Sequence, residues 1–222
     1  MTWIKICGIT NLEDALAAVD AGADALGFVF YEKSPRKIGV EAARDIVKKL
    51  PSSIEKVGVF AGDSVGCWPD IAGSCDLTAV QIPLCGYAPP RSDGELAAVS
   101  PSRPRRVYLA LPAAWLIEGQ FRLDLREPFD TIFLDSSTTQ HPGGTGQVFD
   151  WAKAAPLLEK MCKGINVVVA GGLDPDNVAT AMRILKPWGV DVTSGVEAKP
   201  GTKDSEKVRA FIAAVRREDK RS

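Results

Sequence analysis

The chain has 222 residues, enough for one barrel-sized domain with a sizeable core. Apolar residues make up 45% and charged residues 25%, and the formal net charge is -1, so nothing electrostatic points to nucleic acid or to an acidic membrane surface. No apolar run reaches the roughly 18 residues a membrane span needs. Met1-Thr2-Trp3-Ile4-Lys5 lacks the charged-then-apolar layout of a signal peptide, so a cytoplasmic chain is expected.

The 5 cysteines form no C-x-x-C pair, which argues against a disulfide scaffold at this length. His141 is the only histidine, which excludes a zinc site built on several histidines and any mechanism that needs two. No metal and no redox cofactor is suggested.

Alternation is the organising signal. The first apolar run, Trp3–Cys7, reads as a strand. An amphipathic stretch over residues 11–21 follows, with Thr10 or Asn11 as its N-cap and Gly22 as its stop. Strand patterns recur at residues 25–30, 56–60, 77–81, 106–111, 131–135, 166–170 and 190–193. Val167-Val168-Val169 is apolar on both faces, as strands of a helix-covered parallel sheet are.

Helical patterns cover residues 40–50, ending before Pro51; 175–185, opening on Pro175; and 205–217, following the cap residue Asp204. A weak helix is read at Ser92–Val99, and residues 112–128 show poor periodicity. Arg216–Ser222 is charged and reads as a frayed tail. Eight strand patterns, most followed by a helical one, predict a single-domain (β/α)8 TIM barrel over residues 1–222, with an open doubly wound sheet as the structural rival.

Barrels of this kind carry their chemistry at the C-terminal strand ends. Lys5 and Cys7 share one face of the first strand, with the lysine one layer below the thiol. A neighbouring ammonium favours thiolate over thiol, making Cys7 a nucleophile or general base; the plain alternative is a small buried apolar residue. Asp135 ends the apolar sixth strand, where burial favouring its neutral form would let it donate a proton; the alternative is a cap for the next turn. Arg36, after Ser34-Pro35, suits a bidentate grip on a carboxylate, or else is a solvated surface residue. Asp191 has the parity to face inward on the eighth strand and pair with Lys5.

Glycine-rich loops follow the last three strands: Gly143-Gly144-Thr145-Gly146, Gly171-Gly172-Leu173 and Ser194-Gly195-Val196-Glu197. Glycines let backbone N–H groups approach an anion, and the loops after strands seven and eight are this fold's usual phosphate site. Gly144, Gly171, Gly172, Ser194 and Gly195 are the phosphate-binding expectation.

Lys5-Ile6-Cys7-Gly8-Ile9-Thr10 resembles the opening of phosphoribosylanthranilate isomerases of tryptophan biosynthesis. Gly27-Phe28-Val29-Phe30, Ser34-Pro35-Arg36, Phe133-Leu134-Asp135-Ser136, Ala170-Gly171-Gly172-Leu173, residues 190–197 and Pro200-Gly201-Thr202-Lys203-Asp204 extend the match in order. One segment departs. The family usually shows Gln-Leu-His-Gly after the fourth strand, whereas this chain reads Gln81-Ile82-Pro83-Leu84-Cys85-Gly86, without the histidine.

The resemblance implies an Amadori rearrangement of N-(5-phosphoribosyl)anthranilate. Asp135 protonates the furanose ring oxygen, and Cys7 removes the proton from the sugar C2. Arg36 holds the anthranilate carboxylate, and the glycine loops hold the phosphate. No cofactor is implied, the partner is a small phosphorylated molecule, and the chain is expected to be a monomer or homodimer. The rivals are another sugar-phosphate barrel enzyme and a catalytically silent barrel; Cys7, Arg36 and Asp135 together favour the isomerase.

Overall fold

A computed structural model describes residues 1–84, 106–119, 131–136, 148–161 and 164–221. Eight parallel strands close into a barrel in sequence order. They are β1 (Trp3–Cys7), β2 (Ala25–Val29), β3 (Glu55–Val59), β4 (Ala79–Pro83), β5 (Arg106–Pro112), β6 (Thr131–Asp135), β7 (Asn166–Val169) and β8 (Gly189–Val192). Around them lie α1 (Leu12–Ala21), α2 (Val40–Val47), α3 (Trp68–Ser74), α4 (Ala113–Ile117), α5 (Trp151–Met161), α6 (Val178–Leu185) and α7 (Ser205–Asp219). A short antiparallel pair, β9 (Glu197–Lys199) and β10 (Thr202–Lys203), follows β8.

Strand parity sorts the side chains into two cores. Ile4, Ile6, Leu26, Phe28, Val80, Ile82, Leu134 and Val169 point outward and join the helices in the main core. Ala25, Val57, Ala79, Tyr108, Phe133 and Val168 point inward and fill the barrel, with Trp3 packed beneath them. Trp3 meets Tyr108 and Phe133 edge-on, each at 6.1 Å between ring centroids. Gly189 makes room for that indole: a Cβ there would lie 3.0 Å from Trp3 Cε3. The aromatic plug fills the N-terminal end, so polar groups cluster at the other.

The register brings the site residues level with one another. Cys7 stands opposite Gly27, and Lys5 stands between Ala25 on one side and Asp191 on the other. Gln81 follows on β4, beside Tyr108.

Several local expectations need correction. The fourth strand starts at Ala79 rather than Leu77, because the Leu77 N–H turns back to Ala72 O and Asp76 sits at φ 53. The helix expected from Pro175 begins at Val178; the Asp174 carboxylate takes the N–H groups of Asp176 and Asn177 in the turn before it. The second helix stops at Val47, short of Leu50. Residues 113–117 form a short helix that periodicity did not predict. The tail is helical to Asp219, not frayed from Arg216: Asp219 accepts the Thr2 N–H and hydroxyl, while Arg216 donates to Thr2 O and Asp24. The weak helix expected at Ser92–Val99 lies outside the described residues. Among those residues, no helix is long and apolar enough to cross a membrane.

Two caps match their sequence signals. Asn11 accepts the Asp14 N–H at 2.8 Å, and Gly22 closes the same helix at φ 98. Asp204 accepts the N–H groups of Glu206 and Lys207 at 3.0 and 3.2 Å, starting α7 where the chain leaves β10. Asp204→Ala should therefore cost about 1 kcal/mol of unfolding free energy, read from the urea midpoint at unchanged slope. A midpoint equal to the parent's would show that the cap contributes nothing.

Candidate active site

The site grows from one buried lysine. Lys5 is fully buried inside the barrel, and its three ammonium protons match three acceptors. Nζ donates to Gln81 Oε1 at 3.0 Å and to both carboxylate oxygens of Asp191 at 3.0 Å. Below, Nζ lies 5.1 Å from the centroid of the Phe133 ring. Burial is the strongest single influence and works against the charge, but Asp191 and Cys7 together outweigh it, holding Lys5 above the usual lysine range.

Cys7 is one layer above Lys5 and buried. Both crowd the bare backbone of Gly27: a Cβ there would lie 2.7 Å from Cys7 Sγ and 3.0 Å from Lys5 Cε. The missing side chain on β2 is what lets thiol and ammonium stem share one space. The backbone then turns away through Gly8 at φ 79. The Arg36 stem lies over that turn, since a Cβ on Gly8 would meet Arg36 Cδ at 3.1 Å.

Arg36 is mostly buried and already grips a carboxylate. Nε and Nη2 reach Glu197 at 3.0 and 2.9 Å, a bidentate pair. Glu197 also accepts from the Gly201 N–H and from Lys203 Nζ, both at 3.2 Å. Burial opposes its charge, but Arg36 and Lys203 prevail and hold Glu197 below the usual carboxylate range. Lys203 is buried, and that burial draws it below the usual lysine range although Glu197 and Cys7 both favour its charge. The thiol therefore interacts electrostatically with two lysines, Lys5 and Lys203.

The hairpin carrying Glu197 and Lys203 is seated on the first two loops. Thr10 donates to Gly201 O, and the Lys203 N–H donates to the Asp14 carboxylate. A Cβ at Gly201 would lie 3.2 Å from Pro35 O.

A pocket opens beside this network at the ends of β6, β7 and β8. Its walls include Asp135, Asp191, Thr193 and Ser194, with the backbone of Gly171 and Gly172. Asp135 shares strand parity with the inward-facing Phe133, which aims it into the barrel mouth. The glycines have steric reasons as well. A Cβ on Gly171 would lie 2.2 Å from Ser136 Oγ, and one on Gly195 would lie 2.0 Å from Leu173 O. Only bare backbone lets these three loops close together. Among the described residues, the N–H groups of Gly171, Gly172, Ser194 and Gly195 donate to no other group.

The structure thus collects Asp135, Gly171, Gly172 and Ser194 around one pocket, with Gly195 packed behind it. Cys7 and Arg36 stand outside the pocket wall, linked to it through Lys5–Asp191 and Glu197. Gly144 lies outside the described residues. The Lys5–Asp191 pair expected from parity is present. Sequence reasoning gave no individual role to Gly27, Glu197 or Lys203. A glycine inside a strand was the signal for the first; a short hairpin gives no periodic signal for the other two.

Residues 4–214 match the family model described as N-(5'phosphoribosyl)anthranilate (PRA) isomerase. An N-(5'-phosphoribosyl)anthranilate isomerase of Geobacter sp. (strain M21) is 44% identical over 220 residues, covering 98% of this chain and 99% of the relative. The enzyme of that name from Pseudomonas fluorescens (strain Pf0-1) is 41% identical over 216 residues, covering 96% and 97%. The crystal structure of phosphoribosyl anthranilate isomerase from Thermotoga maritima superposes with a TM-score of 0.76 at 38% identity, covering 97% of this chain and 99% of that one. A second crystal structure, in complex with reduced 1-(o-carboxyphenylamino)-1-deoxyribulose 5-phosphate, gives 0.73 at 36% identity over the same shares. A third, of monomers generated from the dimeric Thermotoga maritima enzyme, gives 0.75 at 37% identity and again covers 97% and 99%. With these matches spanning nearly its whole length, the chain belongs to the N-(5'-phosphoribosyl)anthranilate isomerase family, enzymes of tryptophan biosynthesis.

Proposed function

We propose that the chain isomerises N-(5'-phosphoribosyl)anthranilate to 1-(2-carboxyphenylamino)-1-deoxyribulose 5-phosphate, with Cys7 as general base and Asp135 as general acid. The carrying observation is the thiol packed with a buried ammonium against Gly27, on the same rim as a carboxyl that lines the pocket. Asp135 gives its proton to the furanose ring oxygen, and the ring opens to a protonated imine. That cation makes the C2 proton acidic, and the Cys7 thiolate takes it. Lys5 and Lys203 both interact electrostatically with Cys7, and Lys5 is held in place by Asp191 and Gln81.

Phosphate recognition is assigned to the amides of Gly171, Gly172, Ser194 and Gly195, whose donors are uncommitted among the described residues. Anthranilate recognition is assigned to Arg36. Glu197 occupies its Nε and Nη2, leaving Nη1 to meet the substrate carboxylate. The charge network below the site fixes the guanidinium in place, so its entropy is spent in folding rather than in binding.

Each proton-transfer group is worth on the order of 10²–10⁴ in rate. Cys7→Ala and Asp135→Asn should each lose that much kcat with the fold retained, measured by the steady-state decay of anthranilate-substrate fluorescence. Near-parental turnover in either variant removes that residue's role. Arg36→Ala should chiefly raise KM, and Glu197→Gln should raise it less, because the bidentate partner is weakened but not lost. A large fall in kcat at unchanged KM would contradict the carboxylate assignment.

A further inference from the structure

Asp191 is a buried carboxylate that the proton transfers above do not use. It lines the same pocket as Asp135. Among the described residues its only hydrogen-bond donor is Lys5, which gives one bond to each oxygen. A carboxylate has about four acceptor sites, so half of this one's capacity faces the pocket uncommitted. Lys5 spans Asp191 and Gln81 and so anchors the carboxylate. A half-satisfied, nine-tenths-buried acceptor beside a sugar pocket calls for a hydroxyl donor.

We infer that Asp191 accepts the sugar 2-hydroxyl and takes its proton when the enolamine becomes the ketone. The inference rests on Cys7 and Asp135 acting as proposed above. Ring opening moves one proton from Asp135 to the ring oxygen. Cys7 then removes the C2 proton, leaving a C1–C2 double bond with the hydroxyl still on C2. In the last step the C2–OH bond to hydrogen breaks toward Asp191, and the freed electron pair makes the C2 carbonyl. The double-bond pair takes the proton held by Cys7 Sγ at C1. Asp135 ends one proton short and Asp191 one proton rich. Return of that proton across the shared pocket closes the cycle with no co-reactant.

Burial raises Asp191 above the usual carboxylate range even though Lys5 and Lys203 oppose the shift, a direction that suits a group required to accept a proton. Lys5 sets the orientation of the acceptor and acts as a positioning residue.

The test is a single turnover with enzyme in excess, following substrate loss by fluorescence and ketone formation by carbonyl reduction of quenched samples. The parent should show both in one phase. Asp191→Asn should consume substrate within about threefold of the parental rate and form ketone on the order of 10² more slowly. Equal slowing of both phases, or no slowing of either, overturns the inference.

Should the buried ammonium keep Asp191→Asn from folding, the double variant Lys5→Met/Asp191→Asn is tested by binding. The probes are the reduced product analogue with and without its 2-hydroxyl. The parent should prefer the hydroxylated analogue by at least about tenfold, as expected for a hydrogen bond to a charged group, and the double variant should not. A parent without that preference, or a double variant that keeps it, also overturns the inference. A Cys7→Ala enzyme that retained turnover would remove the proposed base while leaving the parental hydroxyl preference intact, so the two failures are told apart.

Discussion

The arrangement depends on one buried ammonium, Lys5, and on what surrounds it. Stability alone is a poor reason for it. Removing two charges from water costs several kcal/mol per ion, and their attraction inside the protein does little better than offset that cost. An apolar pair of similar volume would pack the barrel as well. What the pair adds is placement: a carboxylate fixed at the pocket wall by two 3.0 Å bonds and a positive charge held one layer beneath a thiol. Breaking it from one side would leave the other ion stranded, at a cost of about 3–5 kcal/mol. The pair therefore couples integrity of the barrel interior to the geometry of the site.

Room for this chemistry is made by residues that are small. Gly27 opens the space that Cys7 and the Lys5 stem share, and Gly189 opens the space for Trp3. Together they let the barrel interior grade from an aromatic plug, through Phe133 under the ammonium, to thiol and carboxylates at the rim. The gradient matters because a charge deep in an apolar barrel needs partners on every side. Lys5 finds them only because Gln81 on β4 and Asp191 on β8 reach it at the same height.

Much of the architecture was legible in the sequence, and the reason is periodicity. Each strand carries enough β-branched and apolar residues to be recognised, and the boundaries fall within two residues of the pattern. Leu77 was misplaced because its apolar character is spent under α3, with its N–H bound to Ala72 O, and periodicity does not distinguish that from a ladder position. Parity faced Lys5 on β1 and Asp191 on β8 inward, and the register that sets them side by side comes from closure of the barrel. The Glu197–Arg36 contact was not legible. It spans 161 positions and depends on how a hairpin with no repeat pattern folds back over another loop. The grip on a carboxylate was anticipated for Arg36, but the carboxylate it holds in the structure belongs to the chain itself.

That self-contact explains how the hairpin after β8 serves the site. The charged groups gather at the seam where the first and last strands meet: Lys5 and Cys7 on β1, Asp191 on β8, and Glu197 and Lys203 just beyond it. A seam is the place where a barrel is joined by chain ends, and here the ends are tied, Thr2 to Asp219 at its foot and Thr10 to Gly201 at its mouth. Glu197 connects three parts of this region in one carboxylate: Arg36 from the second loop, the Gly201 N–H from its own hairpin, and Lys203. Because Lys203 also interacts electrostatically with Cys7, the group proposed to read the aromatic carboxylate and the group proposed to take the proton share a single electrostatic support. On the proposed roles, the recognising end and the reacting end of the site are set by the same few buried charges, so a change in one carries over to the other.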